Sequence, residues 1–299
     1  MKCRRILLAR KTIFCKRPLA KEQAIDEVAH LTRLRHSHIV RVIGTYTLGK
    51  ELSILMYPVA DYNLEDFLDQ TPNCYGLESE PSRLLSMESS FRCLVSAIYT
   101  IHTSLIKHMD IKPQNILVRR QWQNPVITNI KNIRYHIYLT DFGISRSYEK
   151  LEDAETDGPT SYTRKYAARE VVEDDTRGFP ADIFSLGCVF LEIALYIYDI
   201  TFPDSIKKSA RTHLQELLIG DKTRGPWYYA HTNRIDQYLN TIECTGYRTH
   251  LLISRDLISI IQLMMADDPQ VRPTAKALYA RFPPRSCCLR DPLPFEATN

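Results

Sequence analysis

The stretch from His108 to Gly143 constrains this chain more than any other. It reads HMDIKPQNILV, then a connector, then YLTDFGIS. The first piece is a short polar turn with an apolar exit through Ile116, Leu117 and Val118. In the second, a β-prone run from Ile137 to Thr140 delivers Asp141 onto a Phe-Gly turn. Asp110, Asn115 and Asp141 are hard oxygen donors of the kind that Mg²⁺ or a proton-transfer site requires, and Lys112 puts a positive charge beside them. Taken singly, such residues form turns and caps; in this order, each after an apolar run, they point to one site.

The two pieces resemble the catalytic loop and the metal-binding loop of the eukaryotic protein kinases. The resemblance implies that Asp110 accepts the proton of a substrate hydroxyl and that Asn115 and Asp141 hold Mg²⁺. It also implies that Lys112 contacts the transferred phosphoryl group, and a lysine there points to serine or threonine rather than tyrosine substrates.

Earlier in the chain, Leu7 to Ile13 resembles the kinase strand whose lysine grips the ATP phosphates, here Lys11. Lys21 to Arg35 has apolar residues three and four apart, the spacing of an amphipathic helix. Glu27 on that helix matches the glutamate that pairs with the strand lysine; by composition alone it is equally a solvated carboxylate. Leu52 to Met56 predicts a strand running into Tyr57-Pro58-Val59-Ala60, which resembles the hinge between lobes. There Tyr57 and Val59 would meet the adenine through their backbone, with Met56 as gatekeeper. Asn63 is an N-cap for a helix over Leu64 to Leu68.

Residues 70–86 read as a surface loop, followed by a helix from Met87 to His102. The insert between Val118 and Ile137 reads either as a partner-contacting loop or as an elaborated surface hairpin. After Asp141 an acidic, Ser/Thr-rich segment ending in RKYAARE resembles an activation segment, with Thr163 in the substrate-side threonine position. Asp182 matches the large-lobe aspartate that holds the catalytic-loop backbone. Arg272 matches the arginine that pairs with the segment-closing glutamate, here Glu170.

Composition fits a globular enzyme, with 44% hydrophobic and 25% charged residues. A formal net charge of +4, with no basic block interleaved with aromatics, gives no footprint for nucleic acid. The eight cysteines lack CxxC spacing, with Cys287-Cys288 the one adjacency, and read as reduced thiols of an intracellular, cytoplasmic or nuclear protein. The longest apolar run, Leu186 to Ile200, is broken by Glu192 and reads as a buried helix too short to span a membrane. Residues 1–21 are rich in Lys and Arg without an acid, the composition of a transit peptide, but Lys11 has a place in the kinase pattern and favours a strand.

The pattern is departed from at Arg169, where the Ala-Pro-Glu of the resemblance has proline, and in two weightier places. No glycine precedes Lys11, so the Gly-rich roof over the phosphates is missing, which implies either an N-terminally truncated chain or a degenerate kinase. Met109 replaces the arginine that receives an activation-loop phosphate, so phosphorylation of Thr160, Ser161 or Thr163 is expected not to activate through that clamp. The expected fold is α+β and two-lobed: a small, incomplete β-rich N-lobe and a larger, mainly α-helical C-lobe. The kinase-like domain spans residues 1–284, with the partial N-lobe and hinge in 1–59 and the C-lobe in 60–284; 285–299 form a tail. The implied function is a serine/threonine kinase using ATP and Mg²⁺ on a protein substrate, in no contact with nucleic acid or membrane. The alternative is a pseudokinase or binding module.

Overall fold

The computed structural model describes residues 6–14, 28, 32, 34–70, 80–123, 132–141, 146–147, 163–173, 178–202, 209–221, 223–242 and 254–289. Strands β1 (Ala9–Phe14), β2 (Arg41–Leu48) and β3 (Glu51–Tyr57) form an antiparallel sheet in the order β1-β3-β2. The two-residue period of β1 turns Ala9, Lys11 and Ile13 to the half-covered face and leaves Arg10, Thr12 and Phe14 exposed, which is how Lys11 comes to face the cleft side. Val28, Val42, Leu52 and Ile54, joined by Ile13 and Met56, make a small core under this sheet. Of the helix expected over 21–35, Val28 and Thr32 are helical and Leu34 and Arg35 are not; the others, Glu27 included, lie outside the described residues.

Beyond Tyr57-Pro58, whose peptide bond is cis, β4 (Tyr62–Asn63) leads into α1 (Leu64–Asp69). Asn63 caps α1 as expected, its side chain accepting from the Asp66 amide at 2.8 Å. Helix α2 runs from Glu80 to Thr103, seven residues longer at its start than the sequence suggested. Pro81 falls in the first turn, where a missing N–H costs nothing. Two residues on, Arg83 is buried (1% exposed), donating to Phe67 O and the Tyr196 hydroxyl, with its guanidinium 3.8 Å over the Phe67 ring. A run of Glu, Pro, Ser and Arg looked like solvent; the buried arginine makes it helix.

β5 (Ile106–Lys107) precedes the catalytic-loop stretch, β6 (Ile116–Gln123) follows it, and β7 (Asn132–Leu139) pairs antiparallel with β6. The insert is therefore a hairpin; its tip, 124–131, is outside the described residues. β8 (Arg146–Ser147) pairs with β5. Helices α3 (Arg169–Glu173), α4 (Phe179–Thr201), α5 (Ala210–Ile219), α6 (Thr232–Thr241), α7 (Arg255–Met264) and α8 (Ala275–Arg281) complete the large lobe. α4 is longer than its apolar run implied and is by length and composition able to cross a membrane, yet 78% of its apolar window is buried inside the protein. It packs against α2, α5 and α7 as the central helix of the core. Residues 285–289, expected as the start of a tail, fold back so that Cys288 is buried.

Candidate functional site

The antiparallel register that closes the β6–β7 ladder, Ile116 opposite Leu139, places the end of the loop beside the end of β7. Thr140 N donates to Asn115 O at 3.0 Å, so Asn115 and Asp141 issue from one hydrogen-bonded corner. A single 3₁₀ turn, Pro113–Asn115, with proline in its first position, turns the Asn115 side chain back towards Asp110.

Asp110 is the hub. Its Oδ2 accepts from Lys112 Nζ at 2.6 Å and from Asn115 Nδ2 at 3.0 Å, and its Oδ1 from the Thr163 amide at 3.2 Å. Lys112 Nζ also donates to Thr163 Oγ1 at 2.6 Å. Burial pushes the Asp110 carboxyl up; hydrogen bonds from Lys112 and Thr163, with the Lys112 charge, outweigh it and hold the group below the ordinary carboxylate range. Asp110 is thus an anion at neutral pH, with the Thr163 backbone brought against it. Across the corner, Lys11 Nζ contacts Asp141 Oδ1 in an ion pair whose partners are each more than a third exposed.

The loop itself is pinned from beneath. Asp182, buried in the first turn of α4, accepts from the backbone amides of His108 and Met109, each at 2.8 Å, and pairs with His102 Nε2 at 3.0 Å. Met109 holds φ at +68° and Asp141 at +64°. A bulky side chain in that region costs roughly 1–3 kcal/mol and persists where its surroundings over-determine it; the two amides bound to one buried carboxylate do so at Met109. His108 Nε2 reaches Thr140 O at 2.9 Å, tying the start of the loop to the residue before Asp141.

The other flank is held by two networks. Arg272 forks onto Glu170, Nη1 to Oε1 at 2.5 Å and Nη2 to Oε2 at 2.9 Å, joining the start of α3 to the turn before α8. Glu192 in α4, 6% exposed, accepts from the hydroxyls of Tyr166 at 2.9 Å and Tyr228 at 2.6 Å and lies 3.4 Å from Lys165 Nζ. That network anchors the segment carrying Thr163 onto the central helix.

Comparison with known families agrees with this arrangement: the model described as "Protein kinase domain" matches residues 2–281. The chain belongs to the protein kinase domain family. Among curated relatives, cyclin-dependent kinase 4 of Mus musculus and that of Rattus norvegicus are each 31% identical over 176 residues, 56% of this chain and 51% of theirs. Cell division control protein 2 homolog 1 of Trypanosoma brucei brucei is 27% identical over 173 residues, 58% of this chain and 50% of its own. The chain spans about half the length of the curated relatives it matches.

In this kinase-family chain the structure brings Asp110, Lys112, Asn115 and Thr163 into one cluster and Lys11 against Asp141. Glu27, Thr160 and Ser161 lie outside the described residues. Met56 faces the small core, Val59 is 38% exposed on the hinge, and the Tyr57 hydroxyl accepts from Arg119 Nη1 at 3.2 Å. The Tyr57 ring lines a cavity of about 140 Å³ behind the hinge with Arg41, Arg119 and Tyr138. Sequence reasoning missed His102, Tyr166, Tyr228 and the role of Glu192. Only Glu192 carried a signal, as an acid in the middle of the longest apolar run.

Members of this family use ATP and Mg²⁺. The donor set fits such an ion. Asn115 commits its Nδ2 to Asp110, so its side-chain oxygen is what it has to offer, and Asp141 supplies carboxylate oxygens; both are hard donors suited to Mg²⁺.

Proposed function

We propose that this chain is a protein serine/threonine kinase that transfers the γ-phosphoryl group of ATP to a protein hydroxyl. The observation that carries the reading is the cluster in which one ionised carboxylate, Asp110, is shared by Lys112, Asn115 and the Thr163 amide. In this reading Asp110 orients a serine or threonine hydroxyl and accepts its proton as phosphorus–oxygen bonding develops. Lys112, already hydrogen-bonded to Asp110, offsets negative charge on the transferred group, and Lys11 steadies the phosphates. Asn115 and Asp141 would hold Mg²⁺, which when bound neutralises charge on the phosphate oxygens. The backbone at Tyr57 and Val59 would meet the adenine, with Met56 at the back of that slot and Glu27 as the partner of Lys11. The arrangement is built for alignment and charge compensation, which is most of what phosphoryl transfer asks of a protein. An intracellular setting accords with Cys93, Cys188, Cys287 and Cys288 being free thiols.

The test is transfer of radiolabelled phosphate from ATP to a mixed serine/threonine peptide library. Asp110→Asn should lower the rate about 10²–10⁴-fold, the range of a positioned general base. Asp141→Asn should lower it and raise the Mg²⁺ requirement. A wild-type rate equal to that of both variants would sink the proposal.

A further inference from the structure

Away from the phosphate-handling residues, three sulfurs and one imidazole converge. Cys93 lies midway along α2, Cys287 and Cys288 follow α8, and His38 lies in the turn before β2. The Sγ atoms of Cys93 and Cys287 are 3.8 Å apart, those of Cys288 and Cys93 3.8 Å, and those of Cys287 and Cys288 4.0 Å. With an imidazole nitrogen of His38, the four ligand atoms all lie within 4.8 Å of one another. His38, Cys93 and Cys288 are buried, at 1%, 3% and 7% exposure, and Cys287 is partly covered.

A disulfide holds its sulfurs about 2.05 Å apart, so these pairs are not bonded to one another. A tetrahedral ion with metal–sulfur bonds of about 2.3 Å holds its sulfurs about 3.8 Å apart, the spacing seen. Thiols in simple contact allow a similar separation, so the imidazole decides between the two. His38 Nδ1 lies 2.8 Å from Ile137 O, and a carbonyl can only accept, so Nδ1 carries the ring proton. In the neutral ring, the form that binds a metal, Nε2 then keeps a lone pair; it is buried and has no hydrogen-bond partner among the described residues. An orphaned buried nitrogen ordinarily costs free energy, whereas a metal ligand oriented by a carbonyl behind it is made this way.

We propose that Cys93, Cys287, Cys288 and His38 bind one Zn²⁺ as a structural Cys₃His site. Thiolate and imidazole donors select zinc over Mg²⁺ or Ca²⁺, and four protein ligands leave no open position for catalysis. Binding displaces the three thiol protons to solvent and leaves the centre with a net charge of −1. The ion would join three distant stretches of chain: the turn entering the small lobe, the long helix of the large lobe, and the segment after α8. Sequence spacing hides the site, because no two ligands except Cys287 and Cys288 are near one another in the chain.

The experiment is elemental analysis of the full chain purified from zinc-supplemented medium, followed by cobalt substitution. About one zinc per chain is expected, lost in Cys93→Ser and in His38→Ala and kept in Cys188→Ser, whose sulfur is buried elsewhere in α4. Should the ligand variants fail to fold, wild-type protein still decides the matter. Cobalt-loaded protein should show the intense visible bands of a tetrahedral site and a thiolate charge-transfer band. Only trace zinc with no cobalt–thiolate band would overturn the assignment. So would one equivalent of zinc that survives both ligand substitutions, or a disulfide among these cysteines in freshly purified protein.

Discussion

At Asp110 two effects of known sign oppose one another: burial favours the neutral acid, and donors from Lys112 and Thr163 favour the anion and prevail. Two residues earlier the balance falls the other way. His108 is fully buried, and burial pushes its pKa below the ordinary value of 6.5 in spite of the pull of Asp182 and Asp110. Folded protein therefore holds His108 neutral while unfolded chain takes up a proton near pH 6.5. The contribution of His108 is complete above that pH and is lost as pH falls from about 6.5 towards the depressed folded pKa. Melting temperature should drop between pH 7 and pH 5, and His108→Asn should lose part of that slope, as scanning calorimetry across pH would show. An unchanged slope in the variant would mean that His108 is not the neutral buried base described.

Among the elements, the contact between α4 and α7 makes a prediction in which propensity and packing disagree. Gly187 lies within α4, where alanine would normally gain about 1 kcal/mol. A Cβ there would lie 2.9 Å from Met264 Cβ and 2.9 Å from Met265 Cγ. The first atom is fixed to the α7 backbone and cannot swing aside, and overpacking of this kind costs about 1–3 kcal/mol. Gly187→Ala should therefore destabilise, seen as a lower urea midpoint at an unchanged slope. The Glu170–Arg272 fork has larger stakes. The Arg272 side chain is wholly buried, and removing one partner of a buried pair costs about 3–5 kcal/mol. Arg272→Ala should lower the melting temperature by on the order of ten degrees. This pair was legible in the sequence because each residue sits inside its own motif. The Asn63 cap was legible too, from local chemistry, and the strand carrying Lys11 from the place of that lysine in the kinase pattern. The start of α2 was not, because what makes it helix is a buried arginine meeting Phe67 and Tyr196, partners distant in the chain.

Across the whole molecule there are two cores, a small one beneath the β1-β3-β2 sheet and a large one around α4. Their unequal size was expected from the resemblance, which implied a partial N-lobe before a larger C-lobe, and the catalytic cluster from motif order. The cysteine–histidine cluster could not, since only tertiary folding assembles it. If ATP and Mg²⁺ bind between the lobes, they must stabilise the folded chain as a unit. At a hundred times Kd the gain is about 2.7 kcal/mol, readable as a rise in melting temperature that Asp141→Asn should abolish. A cooperative melt unmoved by Mg²⁺ and ATP would exclude the nucleotide site. The lobes are also joined away from the hinge. Leu139 N donates to His38 O at 2.8 Å, and Val40 N to Leu139 O at 2.9 Å, two residues before Asp141. These backbone bonds act as an axle. Were the small sheet to swing about them, the turn before β2 would move least and β1, the strand at the far edge of the sheet from β2, would move most. Lys11 lies on β1 and Asp141 beside the bonded corner, so such a rotation would change the distance between them more than that of any pair at the axle.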